Sequence, residues 1–161
     1  MILLRKIAAV TLIFILLLSG CSSKNRHDEI YINKESLNAS FTAESNSVQY
    51  GGTSAWDGEK IVFSVLSPQE LEGFKFACSG NEISCSFAET DLKYSYSDLP
   101  DDFVFYKFSK ELRSAEGEVL QKKSDGIYEY ECNDAVFTAD SRGNLISFKC
   151  KNAVISFTGR Q

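Results

Sequence analysis

A long succession of short, alternating apolar segments constrains the fold of this chain more than any other feature. Leu37, Ala39, Phe41 and Ala43 alternate with polar residues, which is typical of a strand with one buried face. Further segments of similar length follow, and turn signals such as Asp57-Gly58 separate them. The predicted strands cover residues 37–43, 48–56, 61–66, 74–78, 83–87, 92–96, 127–132, 135–139, 145–150 and 153–157.

Two local features refine this prediction. Gly51-Gly52 lies inside the second predicted strand and indicates a bulge or bend, because glycine weakens regular pairing. Near the C-terminus, a hairpin that pairs Asp140 with Leu145 would place Ala135 opposite Cys150.

One helix is predicted between Pro100 and Arg113, after a cap at Ser97 or Asp98. Four apolar residues recur there at helical spacing: Val104, Phe105, Phe108 and Leu112. The alternative is another strand, because aromatic residues and valine also favour strands. Residues 115–124 are predicted as a loop, with a short strand at Val119-Leu120. The sequence therefore predicts an α+β fold, a curved, mostly antiparallel sheet with one helix packed on it.

The N-terminus has the three parts of a secretory signal peptide: Arg5 and Lys6, an apolar run over residues 7–18, and small residues before a cysteine. The apolar run is shorter than the roughly 20 residues of a spanning helix. Leu18-Ser19-Gly20-Cys21 resembles the lipobox of bacterial lipoproteins. The resemblance implies cleavage before Cys21 and lipid on its sulfur. We therefore expect a lipid-anchored protein on the extracytoplasmic face of the cell membrane, or on the outer membrane in an organism that has one.

The remaining chain has the length of one domain. Residues 1–20 are the predicted signal peptide, 21–35 a flexible polar tether, and 36–161 a single β-rich domain. Without the signal peptide, 15 basic residues face 22 acidic ones, a formal charge of −7. Such a charge argues against nucleic acid as a partner, and against adhesion to anionic lipid through the protein surface.

Four cysteines remain besides Cys21, and an even number in an exported chain predicts disulfides. We favour the pairs Cys78–Cys85 and Cys132–Cys150, because local strand pairing can bring each pair together. Zinc is the alternative, but the spacing is not C-x-x-C and the only histidine, His27, lies in the tether.

The sequence contains no motif of a serine hydrolase, zinc protease or P-loop enzyme. His27 is poorly placed to activate a nucleophile. Asp98, Asp101 and Asp102 form an acidic cluster with some resemblance to a calcium site, but helix capping also explains them. We predict a protein that is not an enzyme and that has no metal or cofactor.

Aromatic residues on predicted strands either fill the core or line an apolar hollow: Tyr50, Trp56, Tyr94, Tyr96, Tyr128 and Tyr130. The order of elements, with the segment 67–73, Leu99-Pro100 before the helix and Arg142-Gly143-Asn144-Leu145 in the last hairpins, resembles the LolA-like lipoproteins. That resemblance implies an unclosed β half-barrel covered by helix, which in some members carries acylated lipids.

The first hypothesis is therefore a membrane-anchored lipoprotein that binds an apolar ligand or lipid in a half-barrel-like sheet. The alternative is a protein-interaction module, an accessory or inhibitor-type lipoprotein that binds an envelope protein through a sheet edge or its acidic face. An internal apolar cavity would favour the first hypothesis. A filled core with an exposed apolar patch would favour the alternative.

Overall fold

The computed structural model describes residues 29–79, 82–99 and 103–159 of the protein. Within these ranges, eleven antiparallel strands form one curved, unclosed sheet with a single α-helix packed on one side. The predicted α+β, half-barrel-like fold is confirmed. The signal peptide, Cys21 and His27 lie outside the described residues.

The chain runs through the strands in three groups. The first group is β1 (Ala39–Ser45), β2 (Val48–Trp56) and β3 (Ile61–Ser67). The second is β4 (Lys75–Ser79), β5 (Glu82–Phe87) and β6 (Thr90–Ser95), followed by the helix α1 (Val104–Ser114). The third is β7 (Gln121–Ser124), β8 (Ile127–Cys132), β9 (Ala135–Asp140), β10 (Leu145–Cys150) and β11 (Ala153–Thr158). Short 3-10 turns occupy Lys34–Leu37, Gln69–Leu71 and Tyr96–Asp98.

The first and last strands meet in the middle of the sheet. Its order is β6-β5-β4-β3-β2-β1-β11-β10-β9-β8-β7, so each half is a meander and β1 pairs with β11. The two edges are therefore β6 and β7. Cys150 pairs with Ala135 as predicted. Leu145, however, pairs with Ala139 and not with Asp140, because the β9–β10 pairing contains an irregularity between Leu145 and Ser147.

Alternation places one set of side chains on the side that α1 covers, here called the inner side. In β1, β9 and β11 every second residue is buried, as the period of a strand requires. The largest fully buried side chains are mainly phenylalanines: Phe41, Phe63, Phe105, Phe108, Phe137 and Phe148. These rings form the core between sheet and helix.

The predicted bulge at Gly51-Gly52 is confirmed. Gly51 pairs with Ser67 and Gly52 with Val65, so β3 carries an extra residue at this point. A Cβ atom on Gly52 would overlap the carbonyl oxygen of Ser64. Only glycine therefore fits at position 52.

The helix α1 buries the predicted face, with Val104, Phe105, Phe108 and Leu112 all at most 4% exposed. It begins at Val104, however, and not at Pro100. Its cap position is Phe103, which makes no side-chain cap hydrogen bond, whereas Ser97 and Asp98 fall in the preceding 3-10 turn. Pro100, Asp101 and Asp102 lie outside the described residues.

Two sequence boundaries also differ from the structure. The predicted strand at Val119-Leu120 lies two residues later, as β7. At the N-terminus, the Ile30 carbonyl accepts a hydrogen bond from the Leu120 N–H at 2.7 Å. Asn33 Nδ2 donates to Asn144 Oδ1 at 3.0 Å. The last residues of the predicted tether are thus hydrogen-bonded to the domain.

Candidate functional site

The strands β4, β5 and β6 carry apolar side chains on the inner side. Phe63 of the core pairs with Phe76 on the next strand. Phe76 pairs in turn with Cys85, and Cys85 pairs with Leu92. A second row joins Ile61, Cys78, Ile83 and Tyr94 in the same way. Directly paired residues share one face of a sheet, so both rows face the side on which α1 packs.

These rows pass from full burial to exposure as they approach the sheet edge. Phe63, Cys78 and Ile83 are at most 2% exposed. In contrast, Leu92 is 49% exposed and Tyr94 is 36% exposed, although they lie on the same side of the sheet. The cause is the placement of α1, which contacts β4 and β11 in the middle of the sheet. The hairpin of β5 and β6 extends beyond the helix.

Aromatic rings connect this exposed surface with the core. Phe76 lies 5.3 Å from Phe105 of α1 and 5.2 Å from Phe103, between ring centroids. Phe74 stacks on Phe87 at 4.4 Å, and Phe87 is 46% exposed. We call the connected surface the apolar end, formed by Phe74, Phe76, Cys85, Phe87, Leu92 and Tyr94.

Acidic residues border the apolar end. Glu70 and Glu72 lie in the connection that precedes Phe74, and Glu89 lies in the turn after Phe87. Of the basic residues on these strands, Lys75 and Lys93 alternate with the apolar row and so point to the outer side. Acidic residues therefore flank Phe74 and Phe87 along the chain, and the two lysines of these strands point to the outer side.

The core beside the apolar end is filled. Phe108 touches four other rings, with centroid distances of 5.7 Å to Phe63, 5.9 Å to Phe137, 5.3 Å to Phe148 and 5.5 Å to Phe157. A hollow of about 410 Å³ lies on the surface, where polar Thr42, Glu44, Gln49, Ser67 and Ser156 contribute to its lining. The structure therefore shows an exposed apolar surface beside packed rings.

A buried carboxylate connects α1 to the half of the sheet that ends at β7. Glu111 of α1 is 1% exposed and accepts hydrogen bonds from Cys132 Sγ at 3.0 Å and Asn133 Nδ2 at 2.9 Å. Lys107 Nζ lies 3.5 Å from Glu111 and 2.7 Å from Asp134. The hydrogen bond to Asp134 raises the pKa of Lys107 and lowers that of Asp134. This network satisfies the buried charge of Glu111 and anchors the helix to the β8–β9 turn.

Lysines cluster beside this network. Lys107, Lys110 and Lys151, together with Asp134 and Asn152, contribute to the lining of a surface hollow of about 380 Å³. Lys110 Nζ lies 5.9 Å from the centre of the Tyr106 ring. Because Asp134 lines the same hollow, its carboxylate partly neutralises the positive charge of the lysines.

The four cysteines after Cys21 are free thiols in the structure, so neither favoured disulfide is present. Cys78 pairs with Ile83 and Cys85 with Phe76, which places the two sulfurs diagonally on one face and not opposite each other. Cys132 and Cys150 both pair with Ala135, from opposite sides of β9. Two strand spacings, about 9.6 Å, exceed the Cα separation that a disulfide accepts.

Burial changes the chemistry of these thiols. It raises the pKa of Cys78 to about 12, since the thiolate would lose its hydration. The Cys78 thiol donates to the Phe105 carbonyl at 3.7 Å. Burial also raises the pKa of Cys132 and Cys150, and for Cys132 the hydrogen bond to Glu111 adds to this effect. None of the three is activated as a nucleophile.

The other predicted site residues lie apart. Asp98 accepts from the Ser95 N–H at 3.1 Å and the Ser97 hydroxyl at 3.4 Å. No group of His, Cys, Asp or Glu in the described residues is arranged to hold a metal ion. Of the aromatic residues, Tyr50 packs on Phe105 at 5.8 Å, and the Lys34 ammonium lies 5.0 Å from the Trp56 ring centre. Tyr94 of the predicted aromatic set belongs to the apolar end.

Sequence reasoning missed Phe87 and Leu92 as surface residues and Glu111 as a buried acid. Alternation correctly placed the first two on strands, but it carries no information about which strand forms an edge. Glu111 had a detectable signal, because it follows Phe108 by three positions and so lies on the apolar face of the predicted helix.

No helix in the described part of the chain has both the length and the apolar character needed to cross a membrane. No protein family matches the sequence, and no curated protein is significantly similar to it.

Proposed function

We propose that this protein is a lipid-anchored, non-enzymatic interaction module that binds an apolar, basic segment of a partner protein on its apolar end. The observation that carries the proposal is the exposure of Phe87, Leu92 and Tyr94 on the same side as a filled core. Contiguous exposed apolar side chains mark interaction surfaces in soluble proteins. The anchor is the lipid expected on Cys21.

The chemistry of the partner follows from the surroundings of this surface. Aromatic side chains are enriched at the centres of protein interfaces, where their rings bury a large area. The carboxylates of Glu70, Glu72 and Glu89 favour lysine or arginine in the approaching segment and speed its encounter. The same carboxylates oppose docking of this surface onto anionic lipid.

A small apolar ligand or an acyl chain is the second candidate, and the open, curved sheet favours it. Such ligands are held in sites that bury most of their surface. The rings of Phe103 and Phe105 pack on Phe76 at 5.2 and 5.3 Å, so side chains occupy the space between the apolar end and the core. We therefore favour the protein partner.

Site-specific photo-crosslinking tests the proposal in the native host. A benzophenone amino acid replaces Phe87 or Leu92 in the full chain, and the matched control carries it at Lys75, which points to the outer side of β4. We expect discrete protein adducts from positions 87 and 92 that position 75 does not give. Reversal of the border charge by Glu72→Lys and Glu89→Lys should weaken these adducts.

Adducts with a second protein at positions 87 and 92, sensitive to the border charges, would support the interaction module. Adducts that contain only lipid would overturn it in favour of the ligand-binding hypothesis. Adducts made only of this chain, or equal yields from all three positions, would also contradict it.

A further inference from the structure

The strand β6 presents a free edge for pairing. It is the outermost strand on its side of the sheet and is six residues long. The Ser95 N–H points away from β5, because it donates to the Asp98 carboxylate at 3.1 Å. Outward and inward backbone groups alternate along a strand, so the backbone groups of Asp91 and Lys93 also point to the free edge.

The side chains of Asp91 and Lys93 have no ion-pair partner within 4.0 Å in the described part of the chain. Their cross-strand neighbours on β5 are the uncharged Ser86 and Ser84. Both side chains are exposed on the outer side, two residues apart. The free edge therefore carries one acid and one base with their charges available.

An antiparallel copy of β6 fits this edge in one register. When Leu92 lies opposite the partner's Leu92, Asp91 lies opposite the partner's Lys93, and Lys93 lies opposite the partner's Asp91. The outward backbone groups of these residues then face each other, as an antiparallel ladder requires. Each cross-strand pair joins opposite charges, which stabilises the pairing.

Neighbouring registers are unfavourable. A shift by two residues in one direction places Lys93 opposite the partner's Lys93, and a shift in the other direction places Asp91 opposite the partner's Asp91. Like charges directly opposite each other destabilise a sheet. A shift by one residue places apolar side chains opposite polar ones and turns the two inner sides in opposite directions.

We propose that β6 pairs with β6 of a second copy of this chain, about a two-fold axis that passes between the two Leu92 residues. Such an interface is self-complementary, as two-fold symmetry demands. It covers an edge strand that otherwise exposes unpaired N–H and C=O groups. The two apolar ends then lie side by side on the same face and form one continuous apolar surface.

The edge of β6 and its outer-side charges are distinct from the side chains of the apolar end. The β6–β6 pairing is tested with the full chain in a mild detergent, and the mass of the complex is measured by native mass spectrometry and light scattering. The samples are the wild type, Asp91→Lys, Lys93→Asp, the two single variants mixed, and the double exchange. Glu44→Lys on the outer side of β1 is the control for an equal charge change away from the edge.

We expect dimers of the wild type, the double exchange and the Glu44→Lys control. Each single variant places like charges opposite each other twice, so its dissociation constant should rise about tenfold or more. Mixing the two single variants should restore dimers that contain one copy of each, because their edges carry opposite charges.

A monomeric wild type over the accessible concentration range would overturn the inference. Single variants that dimerise as tightly as the wild type would also overturn it, because the Asp91–Lys93 register would then be wrong. These substitutions leave Phe87, Leu92 and Tyr94 unchanged. Loss of dimers with retained crosslinks to another protein would therefore refute this inference alone.

Discussion

At the β6 end of the sheet the inner side carries Phe87, Leu92 and Tyr94, whereas at the β7 end it carries Lys122, Tyr128 and Tyr130. Both ends extend beyond the helix, so the side chains at both ends contact water. The β7 end suits water because each of these side chains has a polar group. At the β6 end, Phe87 and Leu92 are exposed without any polar group, which indicates a requirement other than stability of the isolated domain.

The two edge strands, β6 and β7, also differ in how well they are protected from pairing with another chain. β7 has four residues, all exposed, and two of them are lysines in ion pairs: Lys122 with Asp125 at 3.0 Å and Lys123 with Glu129 at 3.4 Å. Short, lysine-rich edges discourage pairing with other chains. β6 is longer and has only Asp91 and Lys93 as charges. β7 thus has the features that discourage pairing with another chain, and β6 has fewer of them.

Thiol reactivity gives the largest expected contrast. Burial raises the pKa of Cys78 to about 12, so at pH 8 only about one Cys78 thiol in ten thousand is ionised. Cys78 should therefore react with iodoacetamide far more slowly than Cys85, Cys132 or Cys150, as peptide mass spectrometry would measure. Alkylation of none of the four before reduction would show that they form disulfides after all.

Truncation of isoleucine to alanine should lower the free energy of unfolding more at a buried position than at a half-buried one. Ile83 is 1% exposed beside the apolar end, and Ile83→Ala should lower the free energy of unfolding by about 3 kcal/mol. Ile127 of β8 lies half-buried on the outer side, so Ile127→Ala should cost about 1 kcal/mol. Urea unfolding measures both. Equal losses would mean that burial does not differ as described.

Removal of the buried acid should destabilise the β8–β9 region. Glu111→Ala leaves Cys132 and Asn133 without their acceptor, and we expect a loss of about 2 kcal/mol in unfolding free energy. Glu129→Ala is the matched control, because its partner Lys123 is exposed and such pairs contribute under about 1 kcal/mol. A loss for Glu111→Ala as small as for the control would contradict the role of the network.

The smallest effect on stability is expected at the apolar end itself. Leu92→Ser should change the unfolding free energy by less than about 0.5 kcal/mol, because Leu92 is already exposed. Compared with the wild type, it should nevertheless reduce the fluorescence of the neutral apolar dye Nile red, because it removes apolar surface to which the dye binds. Leu66→Ser is the control, since Leu66 is 58% exposed but outside this cluster. Equal dye binding by both variants would argue against a contiguous apolar surface.

The elements of this fold were largely predictable, and their arrangement was not. Alternation and turns located the strands, and hairpin geometry gave the Ala135–Cys150 pairing, because both depend on neighbouring residues. The pairing of β1 with β11 and the edge position of β6 depend on contacts between residues far apart in sequence. The same reason explains why Cys132 and Cys150 do not meet in the structure, since they are separated by β9.

The helix start shows a second limit. Pro100, Asp101 and Asp102 are typical of a first helical turn, yet α1 begins at Val104. Burial of Phe105 and Phe108 against the sheet fixes the helix, and tertiary packing outweighs local propensity. The exposure of Leu92 was unpredictable for a related reason. It depends on how far the helix extends over the sheet, and tertiary packing determines this.

The most direct test of an uncovered apolar end is the accessibility of leucine methyl groups to a neutral paramagnetic cosolute in NMR. Leu92 and Leu112 are chemically identical, but Leu92 is 49% exposed and Leu112 is 4% exposed. We expect strong broadening of the Leu92 methyl signals and little effect on those of Leu112. Equal protection of both residues would mean that the sheet is covered at β6, and would contradict the proposed interaction surface.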